Sequence, residues 1–224
     1  MPESARKIPI HELTYERLRD MVLFGELEPG QPVTIQGLIV DLGAGMTPVR
    51  EAIRRLCSQG ALELQGNRRI CVPKLTLEAL DQLAFARLKI EPQLALMACT
   101  RLSDTSMISL QEIDQRLDQA IALDDVQGYL MQNYQFHFTL YRAAAAPILL
   151  DMAQSLWLRF GPSLRVVCGR YGRGGLPDRH HDVLRAAREG DPAVLAEAIG
   201  ADLLQGIDQV RLALEEPNAE KRII

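Results

Sequence analysis

Met46-Thr47-Pro48-Val49-Arg50-Glu51-Ala52-Ile53-Arg54-Arg55-Leu56 decides the fold of the first third of this 224-residue chain. The spacing predicts a short helix with two different faces. Thr47 offers a capping hydroxyl, and Pro48 at the first helical position loses nothing by lacking an N–H. Val49, Ile53 and Leu56 recur at helical spacing and form a buried stripe. Arg50 and Arg54, four apart, with Arg55 beside them, form a basic face suited to phosphates and base edges.

Working outward, a helix is expected from His11 to Phe24, with Leu13, Leu18, Met21 and Val22 inward. Gly25 closes it, and Glu28-Pro29-Gly30 makes a turn. A second helix starts at the cap Thr34 and runs to Leu42, followed by Gly43-Ala44-Gly45. Two short helices across such a turn have the spacing of a helix-turn-helix, whose second helix enters the major groove. Beyond the quoted helix, Ala61–Leu64 and Ile70–Val72 read as short strands around Gln65-Gly66-Asn67-Arg68-Arg69. Three helices and a basic hairpin make a winged helix-turn-helix over residues 1–75.

Tyr15 to Pro73, through Leu18-Arg19, Gly25-Glu26-Leu27-Glu28-Pro29-Gly30, Leu42-Gly43 and Thr47-Pro48-Val49-Arg50-Glu51-Ala52, resembles the DNA-binding domain of GntR-family bacterial transcription regulators. The rest resembles the all-helical FCD effector domain of the FadR subfamily, through Arg87-Leu88-Lys89-Ile90-Glu91-Pro92, Phe136-His137 and His181 followed by Gly190-Asp191. The resemblance implies DNA contacts at Gln36, Thr47, Arg50 and Arg54, with Arg68 and Arg69 on the wing. Met46 stands where the family commonly has Arg, Gln36 where a basic residue is common, and Arg69 where a wing glycine is usual. The operator sequence therefore does not carry over from better-known relatives.

Composition fits two domains. The chain is 47% hydrophobic with a net charge of −4, which argues against a non-specific nucleic-acid coat and for a local basic patch. Between Met46 and Arg69 five arginines face only Glu51 and Glu63. Cys57, Cys71, Cys99 and Cys168 lack metal or redox spacing and read as reduced thiols. With no leader pattern and no apolar run long enough for a bilayer, a cytoplasmic location is expected.

Residues 76–224 read as an all-α bundle, with helices at about 76–101, 104–123, 125–143, 147–170, 178–189 and 191–214. Pro92 falls inside the first. Asp104 and Asp191 are taken as caps, with Pro192 in a first turn. The glycine-rich stretch 170–177 is the one irregular connection.

Polar residues on apolar stripes mark the candidate site, since bundles place ligands in their cores. Asn133 and His137 share a face with Leu130 and Leu140, and Asp202 shares one with Leu195, Ile199 and Val210. His180 and His181 open the helix between. Two imidazoles and a carboxylate suit a divalent metal such as zinc, nickel or manganese; the same residues also suit a polar core network. Many FCD domains use an Asp and three His. Against that pattern His137 and His181 match, Asn133 stands at the Asp position and Asp202 at the third His, with His180 left at the surface. Arg87 and Glu91 both point inward, either as a clamp for an effector carboxylate or as a buried ion pair.

The function expected from these features is a homodimeric, ligand-responsive repressor. It would bind an inverted-repeat operator in double-stranded DNA and respond to a small carboxylate effector. Two alternatives carry weight: a metal-dependent enzyme built on a 2-His-1-carboxylate centre, and a winged-helix adaptor. The first lacks a nucleophile–base pair, a phosphate loop and a nucleotide fingerprint, so no enzyme is expected.

Overall fold

A computed structural model describes residues 8–66, 69–165 and 179–215. The chain divides into two compact units, Met1–Lys74 and Leu75–Ile224.

In the first unit, α1 (Ile10–Leu23) packs on α3 (Met46–Ser58) through Tyr15, Leu18, Met21 and Val22. Leu13, expected in that stripe, is exposed. Between them α2 (Ile35–Leu42) is capped by Thr34, whose Oγ1 accepts from the Gly37 N–H at 3.0 Å. Gly43 ends α2 in the left-handed region (φ +57°), where a Cβ would be strained.

α3 begins two residues earlier than the sequence suggests. Gly45 is its N-cap and makes no side-chain cap bond. Thr47 is therefore a helical residue, not the cap, and Pro48 is the third. The first four helical N–H groups have no intrahelical acceptor, so a proline is tolerated at either place. Val49, Ala52, Ile53 and Leu56 are buried, as the stripe requires.

The wing is the antiparallel pair β2 (Glu63–Gln65) and β3 (Arg69–Cys71), with Leu64 opposite Ile70 and Gln65 opposite Arg69. A strand absent from the sequence expectation, β1 (Val33–Thr34), pairs with the other edge of β3 and gives the order β1-β3-β2. Two residues are too short for an alternation signal. Ile70, fully buried, anchors the sheet.

The second unit contains α4 (Leu77–Cys99), α5 (Asp104–Ala122), α6 (Val126–Arg142), α7 (Pro147–Phe160), α8 (Arg179–Glu189) and α9 (Pro192–Glu215), numbered over the described residues. Asp191 caps α9, accepting from the Ala193 and Val194 N–H groups. At α5 the cap is Ser103, which accepts from Ser106 N at 3.1 Å. The expected cap Asp104 is instead the first helical residue, where its charge faces the positive helix end. α7 stops at Phe160 and passes into a 3-10 turn, Gly161–Leu164. Pro162 has no N–H to donate to the carbonyl four residues back, which breaks the α ladder of the longer helix expected here. Arg68 and the 170–177 stretch lie outside the described residues.

α4 lies along α9, α5 along α6, α8 against both α9 and α5, and α7 against α4. Leu80, Leu94, Phe136, Phe138, Tyr141 and Trp157 fill the centre. Among the described residues no helix is long and apolar enough to cross a membrane.

Candidate functional site

Two surfaces carry chemistry, one in each unit. On the first unit Gln36, Thr47, Arg50, Arg54 and Arg69 are all exposed. Arg55 is set apart from its neighbours. It pairs with Glu12 at 3.1 Å and lies 3.5 Å over the Tyr15 ring, so it ties α3 back to α1. Arg50 and Arg54 remain as the basic face of α3.

The second site forms where α4, α6, α7, α8 and α9 meet. His137 is buried on α6, and its Nε2 lies 3.1 Å from Asp202 Oδ2 on α9. His180 on α8 is 7% exposed, and its Nε2 lies 3.7 Å from Asp202 Oδ1. One ligand atom from each of these three residues falls within 4.8 Å of the others. His137 and Asp202 also border a small pocket, partly open to solvent, with room for about one water molecule or an ion. Arg87, Asn133, His137 and Asp202 make its polar wall, and Trp157, Phe160 and Leu164 its apolar wall.

Here the structure corrects the sequence expectation. His181, taken as the ligand, is exposed, and His180, taken as a surface neighbour, enters the cluster. The register of α8 explains the exchange. His180 stands three, four and seven residues before the buried Val183, Leu184 and Ala187, whereas His181 shares its face with the exposed Arg185 and Arg188. That spacing was readable in the sequence.

Arg87 lines the pocket, but its fork is closed. Nε donates to Glu91 Oε1 at 2.5 Å and Nη2 to Oε2 at 3.2 Å, both residues being almost wholly buried. The guanidinium also lies 4.6 Å and 4.2 Å over the rings of Trp157 and Phe160. Glu91 accepts further from Tyr141 Oη at 2.8 Å and Trp157 Nε1 at 2.9 Å. The ion-pair alternative accounts for this arrangement. Nothing local in the sequence announced the two extra donors, which come from α6 and α7.

Glu91 fixes a proton elsewhere. An ionised carboxylate only accepts, so the Tyr141 hydrogen goes to Glu91. The Tyr141 oxygen, 3.0 Å from His137 Nδ1, then accepts from that nitrogen. The other ring nitrogen of His137 is turned to Asp202, where a lone pair and a carboxylate at this distance need positive charge between them, a proton or a metal ion. Burial opposes the Asp202 charge, but His180, the hydrogen bond and charge of His137, and Arg87 outweigh it and hold its pKa below the ordinary value. Burial first, then Glu91, pushes the Tyr141 hydroxyl well above its ordinary value.

The donor set fits a divalent ion. Ligand atoms about 2.0–2.2 Å from a metal lie about 3–3.5 Å from one another; the three here fall within 4.8 Å of one another, so the side chains would draw together slightly around an ion. His137 also meets the rule that a metal-bound imidazole donates its other N–H to a fixed acceptor.

Residues 11–72 match the gntR family of bacterial regulatory proteins, and residues 82–205 match the FCD domain. The HTH-type transcriptional regulator McbR of Escherichia coli (strain K12) is 32% identical over 147 residues, 66% of this chain and 66% of that protein. The HTH-type transcriptional repressor RspR of the same organism is 22% identical over 148 residues, 66% of this chain and 65% of that protein. These matches thus span just under two thirds of both relatives. The solved structure of E. coli McbR/YncC superposes with a TM-score of 0.82 at 26% identity, covering 92% of this chain and 98% of that one. A GntR-type structure from Rhodococcus sp. RHA1 shares the fold, with a TM-score of 0.73 at 20% identity over 91% and 98% of the two chains. These families and relatives are transcriptional regulators and not enzymes, which decides against the enzyme alternative. With both domains matched in order, the chain belongs to the GntR family of bacterial transcription regulators, in the branch whose second domain is FCD.

Proposed function

We propose that this chain is a homodimeric repressor that reads an inverted-repeat operator with α3 and the wing, and is controlled through the helical unit. The observation that carries the reading is the division of labour on α3. Arg55 is spent on Glu12 and Tyr15, while Arg50 and Arg54 stay exposed beside Thr47 on the helix that a helix-turn-helix presents to the major groove. Gln36 and Arg69 extend the same role to α2 and the wing, as does Arg68. A two-fold dimer doubles the contacts that one short helix makes.

The sensor is the cluster of His137, His180 and Asp202 with the small pocket beside it. A divalent ion held there by two imidazoles and a carboxylate, with Asn133 on the same wall, would leave positions for the oxygens of a small carboxylate effector. Zinc, nickel and manganese all suit such a mixed nitrogen and oxygen set. The effector meets the ion rather than a free guanidinium, because the Arg87 fork is closed on Glu91; Arg87 contributes positive charge to the wall.

Fluorescence anisotropy on fragments upstream of the gene and its neighbouring operon, at several salt concentrations, tests the DNA half. Saturable, salt-dependent binding that Arg50→Ala/Arg54→Ala removes is expected; unchanged binding by that variant would overturn it. Elemental analysis of untagged protein tests the other half. A metal-free sample with no thermal shift on adding zinc, nickel or manganese would leave a polar core network in place of the ion site.

A further inference from the structure

His180 meets Asp202 and His137 within the cluster, and Phe136 and Asp114 outside it. Phe136 stacks on its ring, with centroids 4.1 Å apart and planes 12° from parallel. Nε2 faces Asp202. The opposite nitrogen, Nδ1, lies 3.4 Å from Oδ1 of Asp114, a mostly buried carboxylate on α5. The stack fixes the plane of the ring. It does not fix which nitrogen points at Asp202.

Asp114 settles that. A carboxylate beside one imidazole nitrogen favours the N–H there. Asp114 stands nearer to Nδ1 than Asp202 does to Nε2, 3.4 against 3.7 Å. Asp114 therefore keeps a proton on Nδ1, and Nε2, which faces Asp202, carries the proton that an incoming ion would replace. Asp114 lies on the far side of the ring, outside the mutually close set of His137, His180 and Asp202. It cannot reach an ion that sits among those three without displacing the ring.

We propose that Asp114 is a positioning residue for the candidate ion site, acting through His180 by accepting from its Nδ1–H, so that Nε2 is the nitrogen presented to the cluster. His137 has a counterpart in Tyr141, itself tied to Glu91. Each imidazole is thus oriented from behind by a different helix pair. The consequence for ion affinity rests on the ion-site reading above; the Nδ1–H contact with Asp114 does not, since both groups are in place without metal.

The test uses the full chain and zinc alone as the probe. Competition against a chromophoric chelator should show Asp114→Ala binding zinc about 10- to 100-fold more weakly than wild type, with Asp114→Asn losing less because its amide oxygen still accepts. In a His180→Ala background, Asp114→Ala should cause no further loss. Nitrogen-15 NMR of the imidazoles should show His180 keeping Nδ1–H in wild type, with and without zinc, and a weaker preference for it in the variants, Asp114→Ala the more affected. Zinc affinity of Asp114→Ala within about threefold of wild type overturns the proposal, as do losses that multiply in the double variant, or a wild-type His180 without Nδ1–H. If Asp114→Ala does not fold, the near-isosteric Asp114→Asn carries both measurements. If wild type binds no zinc the ion-site reading fails, and the Nδ1–H measurement decides the role of Asp114 alone.

Discussion

Replacing Arg87 by methionine removes the guanidinium while keeping an unbranched side chain of similar length. Glu91 is then a carboxylate with no exposed surface and two remaining donors, Tyr141 and Trp157. Stripping one partner from a buried pair costs about 3–5 kcal/mol. Loss of the cation from the rings of Trp157 and Phe160 adds about 0.5–2 kcal/mol, for about 3.5–7 kcal/mol together. At about 2–4 °C per kcal/mol for a chain of this size, the melting temperature should fall by at least about 7 °C. Arg87→Lys should recover only part of this, since an ammonium cannot close a two-pronged fork. Removing both charges with Arg87→Met/Glu91→Leu should not restore wild-type stability, because the Tyr141 and Trp157 donors are orphaned at about 1–3 kcal/mol each. Circular-dichroism melting and urea titration of the full chain read all three variants. A methionine variant that melts within about 2 °C of wild type would refute the ion-pair account, and loss of an effector response in such a stable protein would establish Arg87 as a ligand clamp.

Arg50→Ala and Arg54→Ala should each weaken operator binding by about 1–3 kcal/mol and relax discrimination at one base position, whereas Arg69→Ala should weaken all sequences alike and lower the salt slope by about one; anisotropy at several salt concentrations separates the patterns. Asp202 has a depressed folded pKa, so its stabilising contribution is complete above the ordinary carboxylate value and fades as pH falls through the lower folded value. Urea titrations across that acid window should show the gap between wild type and Asp202→Asn closing as pH drops; a constant gap would contradict the charge account. Tyr141→Phe removes the donor to Glu91 and the acceptor for His137 Nδ1–H, and should cost about 1–3 kcal/mol in the same melting assay. A change below about 0.5 kcal/mol would show that the hydroxyl does not bridge the two.

Local features of the sequence were legible where one residue decides the outcome. Thr34 and Asp191 cap their helices because a short acceptor precedes an apolar period, and both stripes of α4 and α6 bury the residues their spacing assigns. Thr47 and Asp104 misled for one reason: Gly45 and Ser103, each just upstream, also make good caps, and composition does not rank neighbouring candidates. β1 left no trace because it exists only through its partner β3. At the site, the inward direction of His137, Asn133, Asp202, Arg87 and Glu91 followed from period alone, whereas His181 followed only from the family resemblance, against the period of α8 that turns His180 inward. What periodicity could not supply is who meets whom across helices. Asp114 shares a stripe with Leu110 and Leu117, yet its contact with His180 is set by how α5 packs on α8.

Those cross-helix contacts join into one chain of charge. It runs from Arg87 and Glu91 on α4, through Tyr141 and His137 on α6, to Asp202 on α9, and on through His180 on α8 to Asp114 on α5. Every link alternates a positive or donating group with an accepting one, so the protonation of each member is set by its neighbours. A divalent ion entering between His137, His180 and Asp202 would take the place of the positive charge that the His137–Asp202 contact otherwise needs. Its added charge would fall on a site already braced from behind by Glu91 and Asp114. Ion binding thus requires no new partner for either imidazole, and its free energy is available to hold five helices in one arrangement: at 100 times the dissociation constant it would add about 2.7 kcal/mol to the folded state. An effector that bound such an ion would act on that same chain, and would so be felt by α4, α5, α6, α8 and α9 together.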